Sequence, residues 1–452
     1  MAYTKLFGTD GIRGLVGRDL TAELSFRLGR VFGKMITQDH LPSPWSVVIG
    51  RDTRSSCEAL TDAISAGLAS QSVNVSLAGV IPTPGLAFLT RTAGFNGGVM
   101  ISASHNSAEY NGIKFVSHDG FKITNDKESE IERTIENYDQ IQFPDRQRGL
   151  IKRDPTLSEK YLEYLRQIEN ISLSGLKVVM DLANGAAYSI APRLFTTLGA
   201  NVVSISDKPD GININLNCGS THLENLRKAV LAHQADLGVA FDGDGDRLLA
   251  VDENGEIVDG DQIVLIEALE LAQNGKLRNN TVVSTIMSNY GLELALREHN
   301  ITLKRTPVGD RYVVAEMIKS GAAIGGEQSG HVVFLDHNTT GDGLITALKL
   351  IATIKRNSCN LSALAADMER LPQIQLNVSV KSTKDWERNT AIQNAIAKAT
   401  DHIQGEGRVV VRASGTESLI RVMVEGRDNS LIQRLATDIA NVIQTEAGTS
   451  RL

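Results

Sequence analysis

Three stretches of this chain repeat one pattern: an apolar, β-branched run, a polar loop, a helix-spaced segment and a second extended run. Val47 to Arg54 leads into a helical spacing over 56–70 and an extended run over 73–77. Leu176 to Gly185 leads into 190–198 and then 200–205, and Thr281 to Gly291 leads into 292–298 and then 302–306. Strand, helix, strand is the βαβ signature of a parallel or mixed sheet. Its recurrence predicts three related mixed-sheet α/β domains rather than one large sheet. The tail breaks the pattern. Ile374 to Val380 alternates as a strand, a helical stretch follows over Trp386 to Thr400, and strands are expected over Arg408 to Arg412 and Leu419 to Glu425. Leu431, Leu435, Ile439 and Ile443 then line one face of a last helix. That order predicts a small C-terminal α+β domain with two helices on one sheet face. The expected domains are residues 1–154, 155–253, 254–370 and 371–452, divided near Asp154-Pro155, Asp252–Gly255 and Arg370–Pro372.

Composition narrows the function classes. A net charge of −7 offers no overall basic field, so no nucleic acid partner is expected. No apolar run approaches the roughly 18 residues of a membrane span, so no membrane partner is expected either. The N-terminus lacks the basic-then-apolar layout of a signal peptide. Cys57, Cys218 and Cys359 are odd in number, far apart and form no CxxC pair, which argues for a reducing compartment. The expected location is the cytoplasm. Gly-rich nucleotide cradles and the GxSxG hydrolase elbow have no match in the sequence.

The chemistry is concentrated in loops. Phe241-Asp-Gly-Asp-Gly-Asp-Arg247 lies between the apolar runs 237–240 and 248–251. Three carboxylates spaced by glycines can aim their oxygens at one centre. They would repel one another unless a cation neutralised them, and hard oxygen donors select Mg²⁺ or Ca²⁺. An EF-hand is excluded because Arg247 stands where that loop needs glycine and the flanks read as strands. An arginine beside a metal suits an anionic ligand such as phosphate. Ser102-Ala-Ser-His-Asn106 follows the apolar run Gly98–Ile101, placing hydroxyls at a strand end, where α/β sheets carry their chemistry. Serine and asparagine also make turns and caps, so this loop gains meaning only beside the others.

Gly326-Glu-Gln-Ser-Gly-His331 puts Glu327, Ser329 and His331 at alternating positions, which in an extended conformation project one way. A carboxylate and a hydroxyl suit sugar hydroxyls, and a histidine can move a proton. Arg412-Ala-Ser-Gly-Thr-Glu417 offers Arg412, the hydroxyls of Ser414 and Thr416 and the backbone around Gly415 to a phosphate, with Arg421 as a second fork. Phe7 to Gly14 is a glycine-rich loop bearing Arg13, and Lys114 follows Asn111-Gly112-Ile113.

These five motifs in this order resemble the α-D-phosphohexomutases over nearly the whole chain. The resemblance rests on Thr9–Gly14, Ser102–Asn106, Asp242–Arg247, Gly326–His331 and Arg412–Glu417. It implies three related α/β domains and a fourth small domain around a central cleft. It also implies that Ser104, rather than Ser102, carries a phosphoryl group, a choice the residues alone leave open. One Mg²⁺ per chain is implied, held by Asp242, Asp244, Asp246 and the phosphoserine, with a sugar 1,6-bisphosphate as activator. Lys114, Arg247 and Arg13 are implied to assist transfer, with His331 as proton shuttle. Glu327 and Ser329 would bind the sugar, and Arg412, Ser414, Gly415, Thr416 and Arg421 the distal phosphate. The partner expected is a small sugar phosphate. An activating kinase and autophosphorylation are both open as the source of the first phosphoryl group, and monomer and homodimer are both open as the assembly.

Within the family, Gln328 resembles the branch that interconverts glucosamine 6-phosphate and glucosamine 1-phosphate. Branches acting on mannose and glucose phosphates, the alternative reading, usually carry methionine there. A phosphatase and a non-catalytic sugar-phosphate sensor are the rivals from other classes. Two departures stand out: Ser107 and Ser418 replace prolines common in the family, each losing a φ lock.

Overall fold

The apolar runs become strands at nearly the expected bounds. The computed structural model describes residues 5–8, 10–39, 43–414 and 418–448. They form sheets of seven, five, four and three strands. The chain divides into two compact units, Met1–Thr285 with Lys304–Ala366, and Ile286–Leu303 with Asp367–Leu452. Among the described residues, no helix is long and apolar enough to cross a membrane.

In the first unit, Gly97–Ile101 is a fully buried strand, parallel to Ser46–Arg51 and antiparallel to Tyr110–Ser117. Its continuous burial explains its unbroken apolar run. Ser46–Arg51 also pairs in parallel with Asn74–Val80. Helices Ala22–Gln38 and Cys57–Ala69 cross closely over this sheet. A Cβ on Gly29 would lie 2.2 Å from the Ile64 carbonyl oxygen, and one on Gly67 would lie 2.2 Å from that of Phe26. Glycine is the residue that permits that approach. The segment read as a glycine-rich loop, Phe7 to Gly14, is instead largely strand: Gly11–Leu15 pairs antiparallel with Tyr110–Ser117. Gly11 has φ +77°, and a Cβ there would stand 2.6 Å from the Ile113 carbonyl oxygen. The glycines serve a tight turn into the sheet.

The second sheet sets Lys177–Asp181 parallel to Asn201–Ile205 and to Leu237–Phe241. Leu237–Phe241 then turns back antiparallel onto Leu248–Asp252. The three-aspartate motif is the connection of that hairpin, flanked by strands as its sequence implies. In the third sheet, Thr281–Thr285 runs parallel to Ile324–Gly326, which turns back onto Val332–Phe334.

In the second unit, Gln373–Ser379 and Gly407–Ala413 flank Leu419–Gly426 in an antiparallel sheet. Helices Thr390–Ile403 and Asn429–Ala447 share with it one core, including Ile392, Ile403, Val422, Ile432 and Ile439. The helix expected from Trp386 is split. Trp386–Arg388 is a short 3-10 turn, and Asn389 then accepts the Ile392 N–H at 3.1 Å, capping a helix that starts at Thr390. The cap chemistry overrides the periodicity.

Candidate active site

The loop after Gly97–Ile101 contains both serines, and the structure separates them. Ser102 Oγ donates to Asp52 Oδ2 at 2.6 Å and accepts the Ser104 N–H at 3.0 Å, so it is wholly engaged in holding the loop. Ser104 Oγ donates to Asp242 Oδ2 at 2.6 Å, joining the first sheet's loop to the hairpin of the second. Its backbone is left-handed, with φ +52°. Gly243 makes the meeting possible, because a Cβ there would fall 2.4 Å from the Ser104 carbonyl oxygen.

Asp242, Asp244 and Asp246 are all buried, and each offers a carboxylate oxygen within 4.8 Å of the others. Burial first, and then the neighbouring charges of Asp246 and Asp244, push the Asp242 carboxyl well up. Asp246 is raised as well, by burial and by Asp244. Asp244 goes the other way: burial opposes its charge, but the Lys114 ammonium and a hydrogen bond from Thr83 outweigh it. Lys114 Nζ lies 2.8 Å from Asp244 Oδ2 and 2.7 Å from Asp10 Oδ2, and Thr83 Oγ1 donates to Asp244 at 2.5 Å. Asp244 Oδ1 and Asp246 Oδ1 are buried without a hydrogen-bond partner. Two orphaned carboxylate oxygens in an all-oxygen donor set fit a hard divalent cation, so these residues suit Mg²⁺.

Around this centre sits a ring of cations. Arg13 bonds Asp10 at 2.6 Å and Asn106 Oδ1 at 3.0 Å. Lys122 bridges Asp10 and Asp310. Burial opposes the Lys114 ammonium, yet Asp10, Asp244 and Asp246 hold its pKa above the ordinary lysine value. Arg247 donates its backbone N–H to Asp242 at 3.2 Å, and its guanidinium approaches Asp246 at 3.9 Å. Asp10, Thr83, Lys122 and Asp310 belong to this cluster without having been singled out from the sequence. Asp10 meets Lys114, Thr83 meets Asp244 and Lys122 meets Asp310 across large separations in the chain, so only the fold brings them together.

The segment 327–331 departs from the extended reading. It is the tight turn between Ile324–Gly326 and Val332–Phe334, with the Gly330 N–H donating to Glu327 O at 2.9 Å. The turn brings Ser329 Oγ within 3.4 Å of Glu327 Oε2, while Glu327 Oε1 accepts the Gly309 N–H at 3.1 Å. His331 is placed apart from that pair. Its Nε2 accepts the Gly341 N–H at 3.2 Å and lies 3.7 Å from Asp310. A different imidazole is nearer the seryl oxygen: His105 Nδ1 is 3.4 Å from Ser104 Oγ. Burial, then the positive charges of Arg247 and Arg13, push the His105 ring down to about 4, so it is neutral at neutral pH. Gln328 donates to Asp259 Oδ2 at 3.3 Å, the residue that caps helix Gly260–Gln273.

In the second unit, Arg412 and Arg421 stand directly opposite on adjacent antiparallel strands. Burial, and then Arg421, lower the Arg412 pKa. Like charges so placed repel one another. Ser414 is buried at the end of its strand. Gly415 and Thr416 lie outside the described residues.

The chain matches "Phosphoglucomutase/phosphomannomutase, alpha/beta/alpha domain I" over residues 4–142, domain II over 159–255, domain III over 259–371 and the C-terminal domain over 376–442. It is 50% identical to a phosphoglucosamine mutase of Symbiobacterium thermophilum, covering 98% of this chain and 99% of the relative. A phosphoglucosamine mutase of Clostridioides difficile is 47% identical, with 97% and 99% covered. Among solved structures, a phosphoglucomutase/phosphomannomutase family protein of Burkholderia thailandensis superposes with a TM-score of 0.82 at 24% identity, covering 98% of each chain. The Aspergillus fumigatus N-acetylphosphoglucosamine mutase, solved with GlcNAc-6P and magnesium, gives 0.69 at 19% identity, covering 99% and 97%. The chain belongs to the phosphoglucomutase/phosphomannomutase family of phosphohexomutases, which are isomerases, in the branch of the phosphoglucosamine mutases.

Proposed function

We propose that the chain interconverts glucosamine 6-phosphate and glucosamine 1-phosphate, with Ser104 as the phosphoryl carrier. The observation that carries this reading is the 2.6 Å hydrogen bond from Ser104 Oγ to Asp242 within the buried three-aspartate cluster. Phosphorylated Ser104 gives its phosphoryl group to the C1 hydroxyl of glucosamine 6-phosphate. The P–Oγ bond breaks, a P–O1 bond forms, and the proton that the C1 hydroxyl loses balances the one that Ser104 Oγ takes up. After the resulting 1,6-bisphosphate reorients, the P–O6 bond breaks and a P–Oγ bond forms on Ser104, the seryl proton is balanced by the one that the departing O6 takes up, and glucosamine 1-phosphate leaves.

Asp242, Asp244, Asp246 and the phosphorylated Ser104 would hold Mg²⁺, which when bound would supply charge neutralisation at the phosphoryl oxygens. Lys114 acts as a fixed positive charge rather than a base, because Asp10 and Asp244 hold it protonated. Arg13 and Arg247 extend that positive field to the transferred group. His105, neutral and nearest Oγ, is the imidazole placed to handle the seryl proton, while His331 would have to release the Gly341 N–H to do so. Glu327 and Ser329, paired by their turn, grip sugar hydroxyls, and Arg412, Ser414, Gly415, Thr416 and Arg421 hold the phosphate that is not reacting. The cytoplasm, where sugar phosphates are made, is the proposed location.

The test is to prime the protein with sugar 1,6-bisphosphate carrying radioactive phosphorus and to map the label by peptide mass spectrometry. Label on the peptide's Ser104 supports the reading. Label on Ser102, or none, refutes it.

A further inference from the structure

Ser104 occupies a backbone conformation that side chains disfavour, with φ +52°, in a loop whose neighbouring position Ser107 has no proline to fix it. Something around the loop must over-determine its shape. Two side chains from distant segments do so. Arg54 follows strand Ser46–Arg51 and is 1% exposed. Its Nε donates to Asp52 Oδ2 at 2.9 Å. Its Nη2 donates to the Ser104 carbonyl at 3.0 Å and to the Asn106 carbonyl at 2.8 Å. Its Nη1 donates to the Tyr110 carbonyl at 3.0 Å and to the Ser107 carbonyl. All five N–H donors of the guanidinium are thereby used, four of them on this one loop.

Asn215 reaches the same carbonyls from the second α/β segment. Its Nδ2 lies 2.9 Å from Ser104 O and 2.9 Å from Asn106 O, spending both amide hydrogens there. Asn215 also abuts the metal hairpin, since a Cβ on Gly243 would be 2.8 Å from its Nδ2. The grip therefore fixes the serine loop relative to the hairpin that carries Asp242.

We infer that Arg54 and Asn215 are positioning residues for phosphoryl transfer, clamping the carbonyls of Ser104 and Asn106 so that the seryl oxygen is held at Asp242. The clamp also turns the negative ends of these carbonyl dipoles toward Arg54 and Asn215. The inference rests on Ser104 being the phosphoryl carrier. Lysine cannot replace Arg54 at this site, because a single ammonium cannot reproduce a planar fork with five directed donors.

The test compares full-length wild type, Arg54→Lys and Asn215→Ala, each with Ser104 phosphorylation measured by mass spectrometry and folding by thermal unfolding. Turnover of glucosamine 6-phosphate is expected to fall roughly 10- to 100-fold in kcat, with KM changed by less than about threefold. Loss in kcat at full phosphorylation separates misplacement from failed priming and from lost sugar binding. Either variant, folded and phosphorylated, turning over within about twofold of wild type overturns the clamp. If Arg54→Lys does not fold, Asn215→Ala, which removes two hydrogen bonds and no charge, decides the matter. Wild type failing to turn over glucosamine 6-phosphate would refute the functional reading instead.

Discussion

Lys114 Nζ sits 2.7 Å from Asp10 and 2.8 Å from Asp244, a buried ammonium shared by two carboxylates far apart in the chain. Its removal takes from buried Asp244 its ion pair, while Asp10 keeps Arg13 and Lys122. Lys114→Met is expected to cost about 3–5 kcal/mol of stability, because breaking a buried pair leaves charge uncompensated. Asp10 and Lys114 changed together, to Asn and Met, should cost less than the sum of the single changes. Denaturant unfolding of the three variants measures the difference.

The two serines of one loop bond different aspartates, and substitution should separate them. Ser104→Ala is expected to abolish turnover, by at least about 10³-fold, while changing stability by no more than about 1–2 kcal/mol. Ser102→Ala removes the donor to Asp52 and should cost about 1–3 kcal/mol, yet leave a protein that still accepts phosphate on Ser104. Thermal unfolding together with phosphopeptide mapping distinguishes the two outcomes.

Glu267 gives the fold a pH dependence remote from the three aspartates. It is buried on helix Gly260–Gln273 with one carboxylate oxygen lacking a partner, near Thr353, Lys349, Glu270 and Arg356. Burial raises its pKa from 4.5 to about 7. The folded state thus holds this proton more tightly than the unfolded state does. The favourable contribution is fully present below about pH 4.5 and is lost as pH rises to 7. Glu267→Gln should stabilise the protein by on the order of 2 kcal/mol above pH 7 and change little near pH 5. Melting temperature measured from pH 5 to pH 8 for both proteins tests the sign.

Gln328 marks the amino-sugar branch in the sequence, but its side chain faces Asp259 rather than the Glu327–Ser329 pair. Its role here is to tether the turn to the helix cap. Gln328→Met is therefore expected to lower kcat/KM for glucosamine and glucose phosphates alike, shifting their ratio by less than about threefold. A tenfold swing in the ratio would assign it direct sugar contact.

Much of this was legible from residue order. The strands show because each is an apolar run of five or so residues bounded by polar loops, and the three-aspartate hairpin shows because three carboxylates between buried strands repel without a cation. The choice of Ser104 over Ser102 was not legible from the residues themselves. It depends on Asp52 and Asp242, which meet the loop only after two sheets have formed. Arg54 read as the end of a strand motif, and nothing in its neighbours reveals that it binds four carbonyls half a hundred residues away. Glu327, Ser329 and His331 alternate in sequence, but the glycines that suggested an open loop instead make a tight turn, which pairs the first two and sends the third toward Gly341. Local pattern specifies elements; the site is made by long-range hydrogen bonds.

The most direct measurement is phosphorus NMR of the Mg²⁺-loaded protein, primed with a trace of glucosamine 1,6-bisphosphate and given glucosamine 6-phosphate or glucose 6-phosphate in separate tubes. The account predicts a sugar 1-phosphate resonance that grows much faster with the amino sugar and is absent for Ser104→Ala. Accumulation of free phosphate in place of the 1-phosphate, or faster growth with glucose 6-phosphate, would contradict it.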